Sequence, residues 1–203
     1  MRKLLMRETL QQPGACLQLL HKAIAAGPPD SFAVLATTRA GHPRARSVVL
    51  RGMHEEIVWF STHAFAAKVT DLAQCPVAQL CLWMPEIDVQ LVCTVRGTVV
   101  GPVEALGSEA AAAFRRAAWE QHSKKARKMF FRRPPGTVFG GADAADDGGG
   151  ANGGGGDGLA VPANFAVVQA EILGMDALWT AAENVRFTHE KVSGDWGTRE
   201  IQP

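Results

Sequence analysis

The stretch SFAVLATTRAGHPRARSVVLRGMHEEIVWFSTHAFAAKVTDLAQCPVAQLCLWMPEIDVQLVCTVRG, Ser31 to Gly97, decides how this chain folds. Phe32 to Thr38 is an apolar run, and Gly41-His42-Pro43 punctuates it as a turn. Ala45 to Arg51 and Glu56 to Ser61 read as two further β-type runs. Thr62 is a good N-cap residue, so the pattern predicts a helix from His63 to Gln74, closed by Pro76. Val77 to Trp83 and Val89 to Gly101 return to strand. The polar residues that stand out along this path are Arg46, Ser61, Thr62, Lys68 and Gln90. Guanidinium, ammonium, hydroxyls and a helix N-terminus are together what a phosphate needs.

Working outward, Thr9 to Ala26 has Leu10, Leu17, Leu20 and Ile24 near the helical period, which predicts a packing helix ended by Gly27-Pro28-Pro29. Ser108 can cap a helix over Ala110 to Gln121, and Ser123 a shorter one through Phe130. Lys124, Lys125, Arg127, Lys128, Arg132 and Arg133 make this the most basic part of the chain. It reads first as a solvated face and second as a rim for acidic ligands. Gly140 to Gly158 is low-complexity glycine with interspersed aspartate. No helix follows it and its acids repel phosphate, so the expectation is a flexible surface insertion. Phe165 to Leu173 and Ala177 to Trp179 are strand-like, and Val185 to Lys191 with Asp195 to Ile201 predict a closing hairpin around Ser193-Gly194. Many short strands and few helices point to a mainly β, α+β chain: one antiparallel barrel domain over residues 1–203, which removes its own edges by closure.

Composition narrows the function. A formal charge of +1 over 203 residues argues against bulk electrostatic binding to nucleic acid or anionic membrane. No apolar run reaches the length needed to span a bilayer, and the charged start is not followed by a signal-peptide core. Cys16, Cys75, Cys81 and Cys93 match no zinc or redox spacing, so a reducing cytoplasmic compartment is expected. The six histidines form no ligand pair, and no metal is expected.

The order and spacing of these residues resemble the FMN-binding split barrel of the pyridoxamine phosphate oxidase group. The matching residues are Arg46-Ser47-Val48-Val49-Leu50-Arg51, Val58-Trp59-Phe60-Ser61-Thr62, Ala67-Lys68 with Leu72 and Pro76, and Asp88-Val89-Gln90. The resemblance implies an antiparallel split β-barrel that binds FMN. Arg46, with Ser47, Val48 and Val49 after it, and Lys68 would hold the cofactor on its phosphate side. Ser61 and Thr62 would join that site, and Gln90 would read the flavin. It further implies Trp179 and Arg186 on the FMN, Thr137 close to the partner's cofactor, and a homodimer sharing the site between subunits. FMN would supply the redox chemistry, with hydride passing to the flavin and no side chain acting as nucleophile.

Each of these residues has a plainer role beside the implied one. Arg46 alternates with Val48 and Leu50 and so points into the barrel, where a structural ion pair would serve as well as a phosphate. Lys68 reads otherwise as an exposed helix lysine, Gln90 as a solvent-side strand residue, and Trp179 as core. The substrate half departs from the family. Glu183-Asn184-Val185 stands before Arg186 where the oxidase has its substrate-acting arginine and histidine, and the chain has no tyrosine. Arg51 stands where the family often has a substrate-contacting lysine. The reading is an FMN-dependent oxidoreductase of unknown substrate; its rivals are a non-catalytic flavin or haem carrier or sensor, and a deazaflavin-dependent reductase.

Overall fold

The computed structural model describes residues 2–131, 135–136, 160–181 and 184–203. Two helices, α1 (Arg2–Gln11) and α2 (Pro13–Ala26), lead into β1 (Phe32–Arg39), β2 (His42–His54) and β3 (Ile57–His63). Helix α3 (Ala67–Gln74) precedes β4 (Val77–Met84) and β5 (Val89–Val100). Then come α4 (Pro102–Gly107), α5 (Glu109–Glu120), α6 (Lys124–Arg127) and a 3-10 turn, Lys128–Phe131. The chain ends in β6 (Phe165–Trp179), β7 (Val185–Val192) and β8 (Asp195–Ile201). The predicted insertion at 140–158, Thr137, Arg132, Arg133 and Glu183 lie outside the described residues.

All pairings are antiparallel, in the order β3-β2-β1-β4-β5-β6-β7-β8, and β3 also pairs with β6. Strands β1 to β6 therefore close on themselves, while β7 and β8 extend outward from β6. Strand β6 makes the split. Its first half, Phe165 to Glu171, faces His63 to Ile57 of β3, and its second half, Gly174 to Trp179, faces Glu190 to Val185 of β7. Against β5 the register slips between Thr94 and Val95, leaving Leu173 as the extra residue where the partner changes. This is the antiparallel barrel that the strand pattern predicts, in the split form that the resemblance implies.

Inward-facing Leu35, Leu50, Leu80, Leu91, Val95 and Ile172 form one core with Cys16, Leu20 and Ile24 of α2. A second apolar cluster joins Trp119 of α5 to Phe165 and Val167 of β6 and Trp59 of β3.

Several boundaries differ from the sequence reading. The predicted 9–26 helix is two helices that break at Gln12, because Pro13 has no N–H to continue α1 and instead opens α2. The turn after β1 sits one residue earlier, on Ala40 and Gly41 with φ of 48° and 78°, and Pro43 is already in β2 opposite Thr38. The two runs at 165–173 and 177–179 are one 15-residue strand. Most consequential for the site, Thr62 does not cap α3. Strand β3 runs on to pair Thr62 with Ala166 and His63 with Phe165, and the helix begins only at Ala67.

Candidate functional site

Helix α3 lies against β1 and β5, and its start meets the ends of β1, β2 and β3. Because the helix begins late, Lys68 is in its first turn, not its second. The N-cap position is Ala66, which offers no side-chain acceptor to the first N–H groups. Strand alternation puts Leu35, Thr37 and Arg39 of β1 on the inward face, and Arg46, Val48 and Leu50 of β2 beside them, Arg46 directly opposite Leu35.

The polar ones among them, Thr37, Arg39 and Arg46, converge on Asp71, whose carboxylate is fully buried. Its Oδ2 accepts from Thr37 Oγ1 at 2.8 Å and from an Arg46 terminal nitrogen at 2.9 Å. Its Oδ1 accepts from Arg39 Nε at 2.5 Å. A second Arg39 nitrogen donates to the Ala67 carbonyl at 2.8 Å, in the first turn of α3. Burial pushes the Asp71 carboxyl up, but hydrogen bonds from Thr37 and Arg39 and the charges of Arg39 and Arg46 outweigh it and hold the pKa below the ordinary carboxylate value. Asp71, Thr37 and Arg39 are absent from the sequence-predicted set. Their one sequence signal is that Thr37 and Arg39 continue the inward alternation of Leu35 with polar side chains.

Lys68 Nζ donates to Thr62 Oγ1 at 3.1 Å. Burial lowers the Lys68 pKa, the Arg46 charge lowers it further, and Asp71 offsets only part. Ser61 lies on the other face of β3, opposite Val167 of the second apolar cluster, where its buried hydroxyl oxygen has no hydrogen-bond partner. The cluster thus holds three cations against one carboxylate, with spare ammonium N–H groups. A phosphate ester, with its dianionic charge and several acceptor oxygens, fits this donor set.

The other predicted residues are not gathered here. Val48 is core. Trp179 is core too, paired with Val89 and Val185, the plainer of its two sequence roles. Arg51 is the extra residue where the β2–β3 register slips between Leu50 and Gly52, which turns its side chain outward. Ser47 and Val49 face away from the core, and so does Gln90, which lies between Trp83 of β4 and Leu178 of β6. Leu178 in turn pairs with Arg186, whose guanidinium grips both oxygens of Asp176 at 2.6 to 3.2 Å. The predicted set therefore divides into an inner cationic cluster and an outer row. Among the described residues no group of histidine, cysteine and acidic side chains is arranged to hold a metal ion.

Fold and cluster together define a split barrel with a cationic cluster at the start of α3, the helix between β3 and β4. Residues 15–100 match the family described as pyridoxamine 5'-phosphate oxidase, FMN-binding domain. In this segment the chain is similar to that FMN-binding family, and the match supports FMN as the cofactor. The matched segment contains Arg46, Ser61, Thr62, Lys68 and Gln90 but stops short of Trp179 and Arg186. The fold is shared with a pyridoxamine 5'-phosphate oxidase-related, FMN-binding protein from Nostoc punctiforme, at 23% identity over 94% of this chain and 97% of that one, TM-score 0.76. It is also shared with PhzG from Burkholderia lata, solved with tetrahydrophenazine-1-carboxylic acid, at 19% identity over 95% and 93%, TM-score 0.68.

Proposed function

We propose that this protein is an FMN-dependent oxidoreductase, working as a homodimer in the cytoplasm on a substrate other than pyridoxamine phosphate. The observation that carries the reading is the excess of positive charge that Arg39, Arg46 and Lys68 set around Asp71, within a segment similar to an FMN-binding family. Arg46 and Lys68 hold the phosphate, Thr62 supplies a hydroxyl to it, and Gln90 hydrogen-bonds the ring. The flavin, when bound, supplies the redox chemistry. The protein's task is to hold it, orient it and limit its contact with water.

The face that carries Gln90 supports the homodimer. Phe32, Val34, Val77 and Trp83 are 47%, 42%, 47% and 49% exposed in the single chain, which is more apolar surface than solvent favours. A second copy covering it would enclose Gln90. Four free cysteines, two of them buried with pKa pushed up to about 12, accord with a reducing compartment. Among the described residues no helix is long and apolar enough to cross a membrane.

The test is a titration of apo-protein with FMN and with riboflavin. One FMN per chain and a clear preference for FMN are expected; equal affinities, or a Soret band in place of a flavin spectrum, would overturn the reading. Pyridoxamine phosphate is expected to be a poor substrate. The chain has no tyrosine, and Val185, near where the family has a substrate histidine, is buried in the core. A kcat/KM approaching about 10⁴ M⁻¹s⁻¹ for pyridoxal phosphate formation in air would refute that part.

A further inference from the structure

We propose that Arg39 is itself a phosphate ligand, aimed by Asp71; the inference rests on the FMN reading above. The two arginines on Asp71 are not equally free. One terminal nitrogen of Arg46 is already shared among Thr37 Oγ1 at 2.5 Å, the Arg44 carbonyl at 3.2 Å and the Leu35 carbonyl at 3.4 Å. The other is on Asp71, and the side chain is only 22% exposed. Arg39 is 36% exposed and makes two hydrogen bonds, from Nε to Asp71 and from one terminal nitrogen to Ala67. A guanidinium has five N–H donors. Arg39 therefore keeps three for a ligand, including both on its second terminal nitrogen.

Its position suits the task. The Ala67 carbonyl it touches is one residue from Lys68, so the Arg39 guanidinium lies beside the first turn of α3. That turn brings no polar side chain of its own before Lys68, because residues 66 and 67 are both alanine. Asp71 receives Arg39 on one oxygen and Arg46 on the other, which sets the two guanidiniums side by side. A simple strap between β1 and α3 would need one arginine per carboxylate. Here Arg39, Arg46 and Lys68 leave two positive charges unmatched around Asp71, the charge of a phosphate monoester.

The experiment measures FMN and riboflavin affinity of the full chain by flavin fluorescence, in wild type, Arg39→Gln, Arg39→Lys and Arg39→Gln/Ala67→Arg. Arg39→Gln is expected to weaken FMN at least tenfold and riboflavin less than twofold. Arg39→Lys keeps a charge for Asp71 but loses the fork, so an intermediate loss confined to FMN is expected. Ala67 is exposed, and an arginine there returns a guanidinium to the same turn from the helix side. Recovery of FMN preference in the double variant is expected, and a strap role for Arg39 would not give it. An unchanged FMN-to-riboflavin ratio in the Lys and Gln variants, or equal loss of both ligands without recovery in the double variant, overturns the proposal. If Arg39→Gln does not fold, Arg39→Lys decides by the same ratio. A wild type that does not prefer FMN overturns the FMN reading itself, a result separable from every variant outcome.

Discussion

Lys68 and Arg46 carry similar charges into the site but are held differently, and substitution should separate them. Lys68 has one hydrogen bond, to Thr62, and its charge is disfavoured by burial and by Arg46. Removing it leaves no buried acid unpaired. Lys68→Ala should therefore fold at least as stably as wild type yet bind FMN at least about tenfold more weakly, since a charged hydrogen bond contributes roughly 1.5–3 kcal/mol. Arg46→Ala should lose FMN similarly and also lower the melting temperature, because Thr37 and the Leu35 and Arg44 carbonyls lose a donor. Parallel FMN titrations and thermal melts check both; unchanged FMN affinity in the pair would remove the phosphate site. The sequence picks out Arg46, Thr62 and Lys68 as polar residues of these elements, and the structure sets Arg46 on Asp71 and Lys68 on Thr62. Local pattern was not enough to find Asp71, because its partners Thr37 and Arg39 are more than 30 residues away and only folding brings them together.

The elements show the same division between local and distant information. Pro13 marks the α1–α2 break in the sequence itself. The late start of α3 has no such mark, because what pulls Thr62 and His63 into β3 is Phe165 and Ala166, a hundred residues on. The partner switch of β6 is equally non-local, and Gly174 lies on it. A Cβ there would stand 3.1 Å from the His189 carbonyl oxygen, backbone that cannot swing aside. Gly174→Ala should cost about 1–2 kcal/mol, read as a lower urea midpoint. Gly107→Ala, where a Cβ meets nothing within 4 Å, is the matched control. Equal midpoints for the two would mean that the junction yields.

The same junction ties down the N-terminal helices. His189 of β7 is fully buried, with Nε2 2.9 Å from the Leu10 carbonyl and Nδ1 2.9 Å from Thr198 Oγ1. The carbonyl can only accept, so Nε2 carries the hydrogen and Nδ1 accepts from the threonine. Burial lowers the His189 pKa, with the Leu10 carbonyl and the charge of Asp176 offsetting part of that. A folded pKa below the unfolded value of about 6.5 means that the unfolded chain binds more protons in between. The stabilisation is whole above about pH 6.5 and is lost as pH falls towards the folded value. His122 adds to the same trend, lowered by burial and by the charges of Arg51 and Arg127 against its Ala118 hydrogen bond. Melting temperature should fall between about pH 7.5 and 5.5, and His189→Gln should flatten part of that fall and leave the His122 part. An identical slope in the variant would show that His189 does not titrate in this window.

For the whole molecule, the question is whether one chain holds a complete site. The inner cluster around Asp71 and the outer row through Gln90 and Arg186 lie on opposite faces of the sheet strands, and the described residues leave Phe32, Val34, Val77 and Trp83 of the outer face exposed. Sequence pattern could give the strands that build that row but not what lies against it, because alternation reports two faces and not their partners. Trp83 is the test position: its ring is half exposed, directly opposite Gln90, on the face with Phe32, Val34 and Val77. Fully burying a large apolar side chain contributes roughly 1.5–3 kcal/mol, and a glutamate placed there would carry an unpaired charge into any covered interface. Trp83→Glu should fold, since its side chain faces away from the core, but should run as a monomer in light scattering where wild type is expected to run as a dimer. If Gln90 reads the ring from a covered face, the variant should also bind both FMN and riboflavin more weakly. That pattern differs from Lys68→Ala, which loses FMN alone. A Trp83→Glu monomer with wild-type affinity for both flavins would show that the site is complete within one chain, and a wild type that is monomeric throughout would end the dimer proposal.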